Sequence, residues 1–206
     1  DHVAVIYVED TRQALQAAVP FFYDYPASKM RMIGVTGTNG KTTTTHIIAH
    51  LLRSQGYTVG VIGTVHILID DQSYPIHNTT PDVADLQQIL QQMVDAGVTH
   101  CIMEVSSHAL ALGRTAGVEY DTAVFTNLTQ DHLDFHKTFD NYLAAKAKLF
   151  KQVSASYQVK EGKGAVINVD DAYGQSIVDV TTAPMITYST EGKGSMNASD
   201  LTVTAK

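Results

Sequence analysis

The chain has 206 residues, of which 14 are basic and 21 acidic, and its formal net charge is −7. This acidic balance disfavours nonspecific binding to nucleic acid and offers no basic face to an anionic membrane. The sequence contains neither an apolar run long enough to span a bilayer nor a signal-peptide pattern. Its single cysteine, Cys101, excludes an intrachain disulfide. We therefore expect a reducing, cytoplasmic setting and a buried structural thiol in preference to a reactive one.

The predicted elements begin with an apolar run at residues 3–8, which favours a strand. Asp10 or Thr11 is a candidate cap for a helix that runs to about Val19 and ends at Pro20. From Met30 onward strands and helices alternate. We predict strands at 30–36, 58–63, 99–105, 121–126, 164–169, 184–188 and 201–205, a hairpin at 65–76, and helices at 42–55, 81–96, from about 107, at 138–151 and at 170–179.

This alternation predicts an α/β fold with a largely parallel, doubly wound sheet and helices on both faces. In such sheets ligands bind at the carboxyl ends of the strands. The residues that follow the strands are therefore the candidates for function.

A glycine-rich loop follows the strand at 30–36 and precedes a helix, which is typical of a triphosphate-binding P-loop. Its candidate ligand-binding residues are Gly37, Thr38, Asn39, Gly40, Lys41, Thr42 and Thr43. Lys41 would reach the β- and γ-phosphates, and the Thr42 hydroxyl would ligate Mg²⁺. The usual pattern requires glycine where this chain has Val35, and the glycine at position 34 makes the loop one residue longer.

Acidic and imidazole side chains follow two further strands. Glu104 ends an apolar strand, where it either ligates Mg²⁺ or alternates outward to water. Asp131, His132, Asp134 and His136 follow the strand at 121–126 and are candidates for metal or nucleotide contacts, although either histidine alone is more often a loop residue. Cysteine is absent from this segment, which disfavours a structural zinc site.

Three other candidates have simpler structural explanations. Lys146 alone is typical of a solvated helix lysine. Residues 78–82 (Asn-Thr-Thr-Pro-Asp) form a helix cap or, alternatively, bind an anionic or hydroxyl-bearing substrate at the helix start. Asn168 and Asp171 end a strand, where they either cap the next helix or contact a nucleotide.

Together these segments resemble the central ATP-binding domain of the Mur ligases, the amide-forming enzymes of peptidoglycan precursor synthesis. The resemblance covers residues 30–206. It is carried by the long glycine loop, residues 78–82, residues 104–110 (Glu-Val-Ser-Ser-His-Ala-Leu) and residues 131–136 (Asp-His-Leu-Asp-Phe-His). The last three segments are similar to the members that add the third residue of the stem peptide. Folylpolyglutamate and cyanophycin synthetases share the loop.

The resemblance implies a role for each matching position. Lys41 and Thr42 hold phosphates and a first Mg²⁺, and Glu104 and His132 ligate a second. Lys146 matches a lysine that the family carries as a carbamate, an anionic ligand that suits Mg²⁺. Substrate contacts fall on Thr79, Thr80, Ser106 and Arg114, and adenosine contacts on Asn168 and Asp171. The family often has glutamine where this chain has Leu112.

The implied reaction joins a free amino acid, L-lysine or meso-diaminopimelate, to UDP-N-acetylmuramoyl-L-alanyl-D-glutamate. ATP first converts the D-glutamyl carboxylate into an acyl phosphate, which the amine then attacks. We expect residues 1–29 to be the tail of an N-terminal uridine-binding domain and its linker. The C-terminal domain would be absent, so we expect a fragment that cannot ligate alone. We also expect a monomer.

Two alternatives remain open. One is a related ligase with another acceptor. The other is a nucleotide-binding module without ligase chemistry, against which Glu104, His132 and Lys146 argue, because simple binding requires no second metal site.

Overall fold

The structure is a computed structural model that describes residues 5–76, 78–131, 133–155 and 160–199. Its helices are α1 (Thr11–Phe22), α2 (Lys41–Ser54), α3 (Val83–Asp95), α4 (Ser107–Leu112), α5 (Leu133–His136), α6 (Phe139–Ser154) and α7 (Gly174–Val180). Its strands are β1 (Arg31–Thr36), β2 (Val59–Ile62), β3 (Ile67–Ile69), β4 (Gln72–Tyr74), β5 (His100–Glu104), β6 (Thr122–Phe125), β7 (Gly164–Asn168), β8 (Met185–Ser189) and β9 (Met196–Asn197).

The strands form one sheet in the order β4-β3-β2-β5-β1-β6-β7-β8-β9. In this order, every neighbouring pair from β2 through β5 and β1 to β9 is parallel. Strands β3 and β4 form an antiparallel hairpin that pairs with β2 at one edge. Parallel neighbours bring their carboxyl ends to one edge of the sheet. The predicted α/β class and the largely parallel sheet are confirmed, and so is the hairpin.

Helices cover both faces of this sheet unequally. On one face α2 packs its Ala49 onto strand residues such as Val35 and Val61. On the other face α3, α4, α6 and α7 enclose a larger core, to which α6 contributes Leu149 and Phe150. The central strands β1 and β5 are apolar on both faces, as a parallel sheet covered on two sides requires.

The amino ends of the strands carry a buried ion network. The Asp121 carboxylate accepts hydrogen bonds from Arg31 Nη1 at 2.7 Å, Lys160 Nζ at 2.8 Å and the Met32 N–H at 2.7 Å. Burial lowers the pKa of Lys160, and the neighbouring Asp121 opposes this shift. The network ties β1 to the residues before β6 and β7, at the edge opposite the glycine loop.

Three predicted elements differ from the structure. Residues 5–8 form no strand and are exposed. Helix α1 continues past Pro20, which is buried and packs so closely on Gly117 that a Cβ there would lie 2.3 Å from the proline. Helix α7 starts at Gly174 rather than 170, because the Asp171 carboxylate accepts from the Tyr173 N–H at 2.9 Å and holds a turn before the helix.

Smaller differences concern short elements and the chain end. The four-residue helix α5 and the two-residue strand β9 were not predicted. The strand predicted at 201–205 lies outside the described residues. Within the described ranges, none of the helices has the length and apolarity that a membrane crossing needs.

Candidate functional site

The glycine loop, residues 37–40, joins the carboxyl end of β1 to the first turn of α2. Gly40 is the N-cap residue of α2, with φ at +82°, and provides no side chain to cap the helix. The N–H groups and the positive end of the helix dipole at this turn favour an anion. The structure therefore places the loop where the sequence predicts it, between β1 and the start of α2.

The end of β6 holds the glycine loop in place. The Thr38 N–H donates to Asn127 O and the Asn39 N–H donates to Asn127 Oδ1, both over 2.9 Å. In return, Thr126 Oγ1 donates to Asn39 O at 2.7 Å. Sequence reasoning singled out this strand end but gave Thr126 and Asn127 no role, since these contacts join residues almost 90 positions apart.

Glycine is required at position 37 by this close approach. A Cβ on Gly37 would lie 1.9 Å from Thr126 Oγ1 and 3.1 Å from the Asn127 nitrogen and carbonyl oxygen. Neither neighbour can withdraw cheaply, because both bond the loop itself. The loop and the β6 end therefore form one rigid unit.

Two lysines converge on the loop. Lys41 Nζ donates to the carbonyl oxygens of Gly37 and Thr38, each at 2.9 Å, and Lys146 Nζ donates to that of Gly37 at 2.9 Å. Burial lowers the pKa of Lys41, and the Glu104 and Asp131 carboxylates oppose the shift. Both amines therefore lie against the backbone of the glycine loop.

Lys146 is buried in α6 and only 1% exposed, so it is not the solvated lysine that its local sequence favours. Desolvation, followed by the nearby Lys41 charge, lowers its pKa to about 7, and Asp131 opposes this. Its amine therefore has a substantial neutral fraction at neutral pH. A neutral amine is the form that adds CO₂, so the environment of Lys146 fits a carbamate.

Glu104 is also buried, at 1% exposure, and does not alternate outward to water. Its Oε1 accepts from Thr42 Oγ1 at 2.9 Å and from the Thr64 N–H at 2.8 Å, and its Oε2 accepts from Thr64 Oγ1 at 3.0 Å. A buried carboxylate facing a helix-start hydroxyl is a donor set that suits a hard cation. The sequence gave no signal for Thr64 beyond its place after β2.

The four predicted substrate residues lie together beyond Glu104. Thr80 Oγ1 donates to Glu104 O at 2.9 Å and accepts from the Ser106 N–H at 3.0 Å. Arg114 Nη1 donates to Thr80 O at 3.3 Å, and its Nε forms an ion pair with an Asp82 carboxylate oxygen at 2.8 Å. Thr79 joins the cluster through its hydroxyl, 3.1 Å from that of Thr64. Asp82 is the N-cap residue of α3, but its side chain makes no capping hydrogen bond. The prediction of Pro81 as the first helical residue was wrong, because the helix begins at Val83.

Asn168 and Asp171 lie on the other side of the loop. Asn168 Nδ2 donates to Thr126 O at 2.8 Å, and Asp171 Oδ2 accepts from the Leu128 N–H at 2.9 Å. Both side chains therefore fix the β6 end that holds the glycine loop. Their adenosine contacts stay a prediction.

Of the remaining candidates, Thr43 is exposed in the first turn of α2, and His132 lies outside the described residues. Within the described part of the chain, no three His, Cys, Asp or Glu side chains are grouped as a metal site. A cation held here would take few ligands from protein carboxylates, as Mg²⁺ at nucleotide sites commonly does.

A model of the Mur ligase middle domain matches residues 35–206. The UDP-N-acetylmuramoyl-L-alanyl-D-glutamate--2,6-diaminopimelate ligase of Geobacillus kaustophilus (strain HTA426) is 49% identical over 203 residues, which is 98% of this chain and 42% of the relative. The chain thus spans less than half the length of that curated relative.

Solved structures agree with this match. A UDP-N-acetylmuramoyl-L-alanyl-D-glutamate--2,6-diaminopimelate ligase has a TM-score of 0.73 and 35% identity, covering 90% of this chain and 36% of its own. The E. coli FolC complex with DHPP and ADP has a TM-score of 0.62 and 22% identity, covering 92% of this chain and 49% of its own, and it shares the fold. The chain belongs to the Mur ligase family, whose middle domain it carries.

Proposed function

We propose that this chain is the ATP-using domain of an amide ligase of the MurE type. The observation that carries the proposal is one edge of the sheet where Lys41, Lys146 and the buried Glu104 meet. The cluster around Thr80 and Ser106 lies directly against Glu104. A nucleotide-binding module needs only the group of Lys41, Lys146 and Glu104. A ligase must also bring a second substrate to the γ-phosphate, which the neighbouring cluster could hold.

The acceptor we propose is UDP-N-acetylmuramoyl-L-alanyl-D-glutamate, and the added amino acid is 2,6-diaminopimelate. The relatives that match 98% of this chain are named for that pair of substrates. L-Lysine is the alternative amino acid. Thr79, Ser106 and Arg114 would contact the acceptor, since their hydroxyls and guanidinium match its hydroxyl, amide and carboxylate groups. Thr80 is 1% exposed and its hydroxyl bonds Glu104 O and the Ser106 N–H, so it would hold Ser106 in place at the acceptor.

ATP would bind over the glycine loop, with Lys41 on its phosphates and with Asn168 and Asp171 toward adenosine. Thr42, Glu104, His132 and the carbamate of Lys146 would hold two Mg²⁺ ions. When bound, these ions would neutralise the phosphate and carboxylate charges that otherwise repel each other. The pairing of Thr42 with Glu104 and the lowered pKa of Lys146 support this donor set.

The reaction has two steps. A D-glutamyl carboxylate oxygen attacks the γ-phosphorus, the bond to the bridging oxygen breaks, and ADP leaves. The amine of the second substrate then attacks the acyl carbon and loses a proton as phosphate leaves. The protein supplies position and charge through the N–H groups at the α2 start and Lys41, and it needs no covalent nucleophile.

The test is ADP release by the intact protein that contains these residues, with ATP, Mg²⁺, the acceptor and 2,6-diaminopimelate. Lys41→Ala and Lys146→Ala are each expected to abolish ADP formation. Lys148→Ala, two positions along α6 and exposed, is the matched control and is expected to remain active. Normal turnover by either of the first two variants would refute the assignment.

Substrate identity needs a separate panel. UDP-muramoyl peptides of different lengths are combined with 2,6-diaminopimelate, L-lysine and other amino acids. Turnover with a different pair would indicate a related ligase. MgATP binding without turnover in any combination would favour a nucleotide-binding module.

A further inference from the structure

A line of contacts through residues that the proposed function does not use links the two halves of the site. His136 ends α5 and is 6% exposed, and a hydrogen bond of 2.9 Å joins its Nε2 to Ser107 Oγ. Its ring packs against the Tyr142 ring, with centroids 5.2 Å apart. The Tyr142 hydroxyl lies 3.1 Å from Thr38 Oγ1 in the glycine loop. We call Ser107, His136 and Tyr142 the relay.

Each end of the relay meets a group with a proposed role. Ser107 is buried and follows Ser106, one of the acceptor contacts. At the other end, Tyr142 carries its hydroxyl to the loop while its ring lies 4.6 Å from Lys146 Nζ. Tyr142 therefore contacts both the loop and the Lys146 amine.

The middle of the relay is held firmly. The His136 carbonyl accepts from Asn141 Nδ2 at 2.9 Å and from the Thr138 N–H at 2.8 Å. Lys137, between them, has φ at +67°, a conformation that costs a non-glycine residue about 1 kcal/mol or more. The fold thus keeps a tight turn that presents the His136 ring inward, between Ser107 and Tyr142.

We propose that His136 is a positioning residue, which through Tyr142 keeps the glycine loop and Lys146 in register with the acceptor-binding turn at Ser106 and Ser107. Its consequence for catalysis rests on the proposed function. The chain of contacts from Ser107 to the loop does not depend on the proposed function. The contacts and their effect on catalysis are therefore tested separately.

The link is tested by amide hydrogen exchange of the intact protein that contains these residues, without ligand. Ser107→Ala and Tyr142→Phe are each expected to speed exchange of the peptide spanning residues 37–42 by about fivefold, because each removes one hydrogen bond from the line. The double variant is expected to exchange no faster than either single one, since both interrupt the same line.

Tyr120→Phe is the matched control, because it also removes a buried tyrosine hydroxyl, one that bonds Met103 Sδ at 3.3 Å. It is expected to leave exchange at residues 37–42 unchanged. If Ser107→Ala does not fold, His136→Phe replaces it, since it keeps the ring packing and removes the bond to Ser107. Unchanged loop exchange in the relay variants, or additive effects in the double variant, would overturn the link.

The positioning role is tested by ADP formation in the intact protein. Tyr142→Phe and Ser107→Ala are each expected to lower kcat about tenfold while KM for ATP changes by less than about twofold, because misplacement affects the reacting geometry more than binding. Faster loop exchange with unchanged kcat would overturn the role. A wild type that forms no ADP would refute the proposed function alone, and loop exchange would still decide whether the relay exists.

Discussion

Lys41 and Lys146 donate hydrogen bonds to the same acceptor, the carbonyl oxygen of Gly37, each over 2.9 Å. Two ammonium groups at one carbonyl repel each other, and burial adds a desolvation cost to both. The pKa of Lys41 is lowered, and that of Lys146 is lowered to about 7. The unliganded site thus disfavours its own positive charge and favours an incoming anion.

The first prediction concerns the carbamate on Lys146. Carbon-13 NMR with labelled bicarbonate is expected to show a carbamate signal that weakens as the pH falls through about 7, because protonation removes the reactive neutral amine. A lysine with the ordinary pKa of 10.5 would be almost fully protonated across that range. Lys146→Arg is expected to lose the signal and Lys148→Arg to keep it. A signal that survives in Lys146→Arg would contradict the assignment.

The second prediction concerns Gly37. Gly37→Ala is expected to weaken MgATP binding by at least about tenfold, measured by calorimetry, because the new Cβ would push the loop away from Thr126. Gly56→Ala is the control, since Gly56 also has a positive φ, of +83°, but has open space around its Cβ position. Equal losses of MgATP binding in the two variants would mean that alanine at a positive φ, and not the contact of residue 37 with Thr126, weakens binding.

More of the fold than of the site could be predicted from the sequence. Strand β1, the glycine loop and α2 follow from local signals, namely an apolar run, glycines and a lysine before a helix. Residues 5–8 show the limit of such signals. They are as apolar as a strand, yet no described strand pairs with them.

Within the site, local sequence located Lys41 and Thr42 but assigned Lys146 to the surface. Its burial follows from how α6 packs on the sheet, which no local pattern records. The resemblance to the Mur ligases instead predicted a place for Lys146 in the site, and the structure shows that this lysine is buried. Neither approach gave roles to Asn127 or Tyr142, whose contacts with the loop depend on the order of the strands.

The third prediction concerns Cys101. Burial raises the pKa of its thiol to about 12. At pH 8 the reactive thiolate is therefore about a thousandfold scarcer than for a thiol with the ordinary pKa near 9. The folded chain is expected to resist alkylation by iodoacetamide, and the urea-unfolded chain to take up one equivalent, both measured by mass spectrometry. Rapid labelling of the folded chain would show that the thiol is accessible.

The fourth prediction concerns the ion network at Asp121. Asp121→Ala is expected to lower the free energy of unfolding by about 3 kcal/mol, because it leaves Lys160 partly buried without its carboxylate partner. Urea unfolding measures the change. Asp24→Ala is the control, since the pair of Asp24 with Lys29 is exposed and is expected to contribute less than about 1 kcal/mol. Similar losses in both variants would contradict the special role of the network.

The order of the strands sets a direction across the molecule. The residues proposed for adenosine follow β7, the glycine loop follows β1, and the proposed acceptor residues lie against the ends of β5 and β2. Neighbouring strands are about 4.8 Å apart, so β7 and β2 each end about 10 Å from β1. In the proposed reaction the path from the nucleotide to the acceptor would therefore run across the sheet, perpendicular to the strands. Exchanging two strands would reverse or break that path even if every side chain were kept.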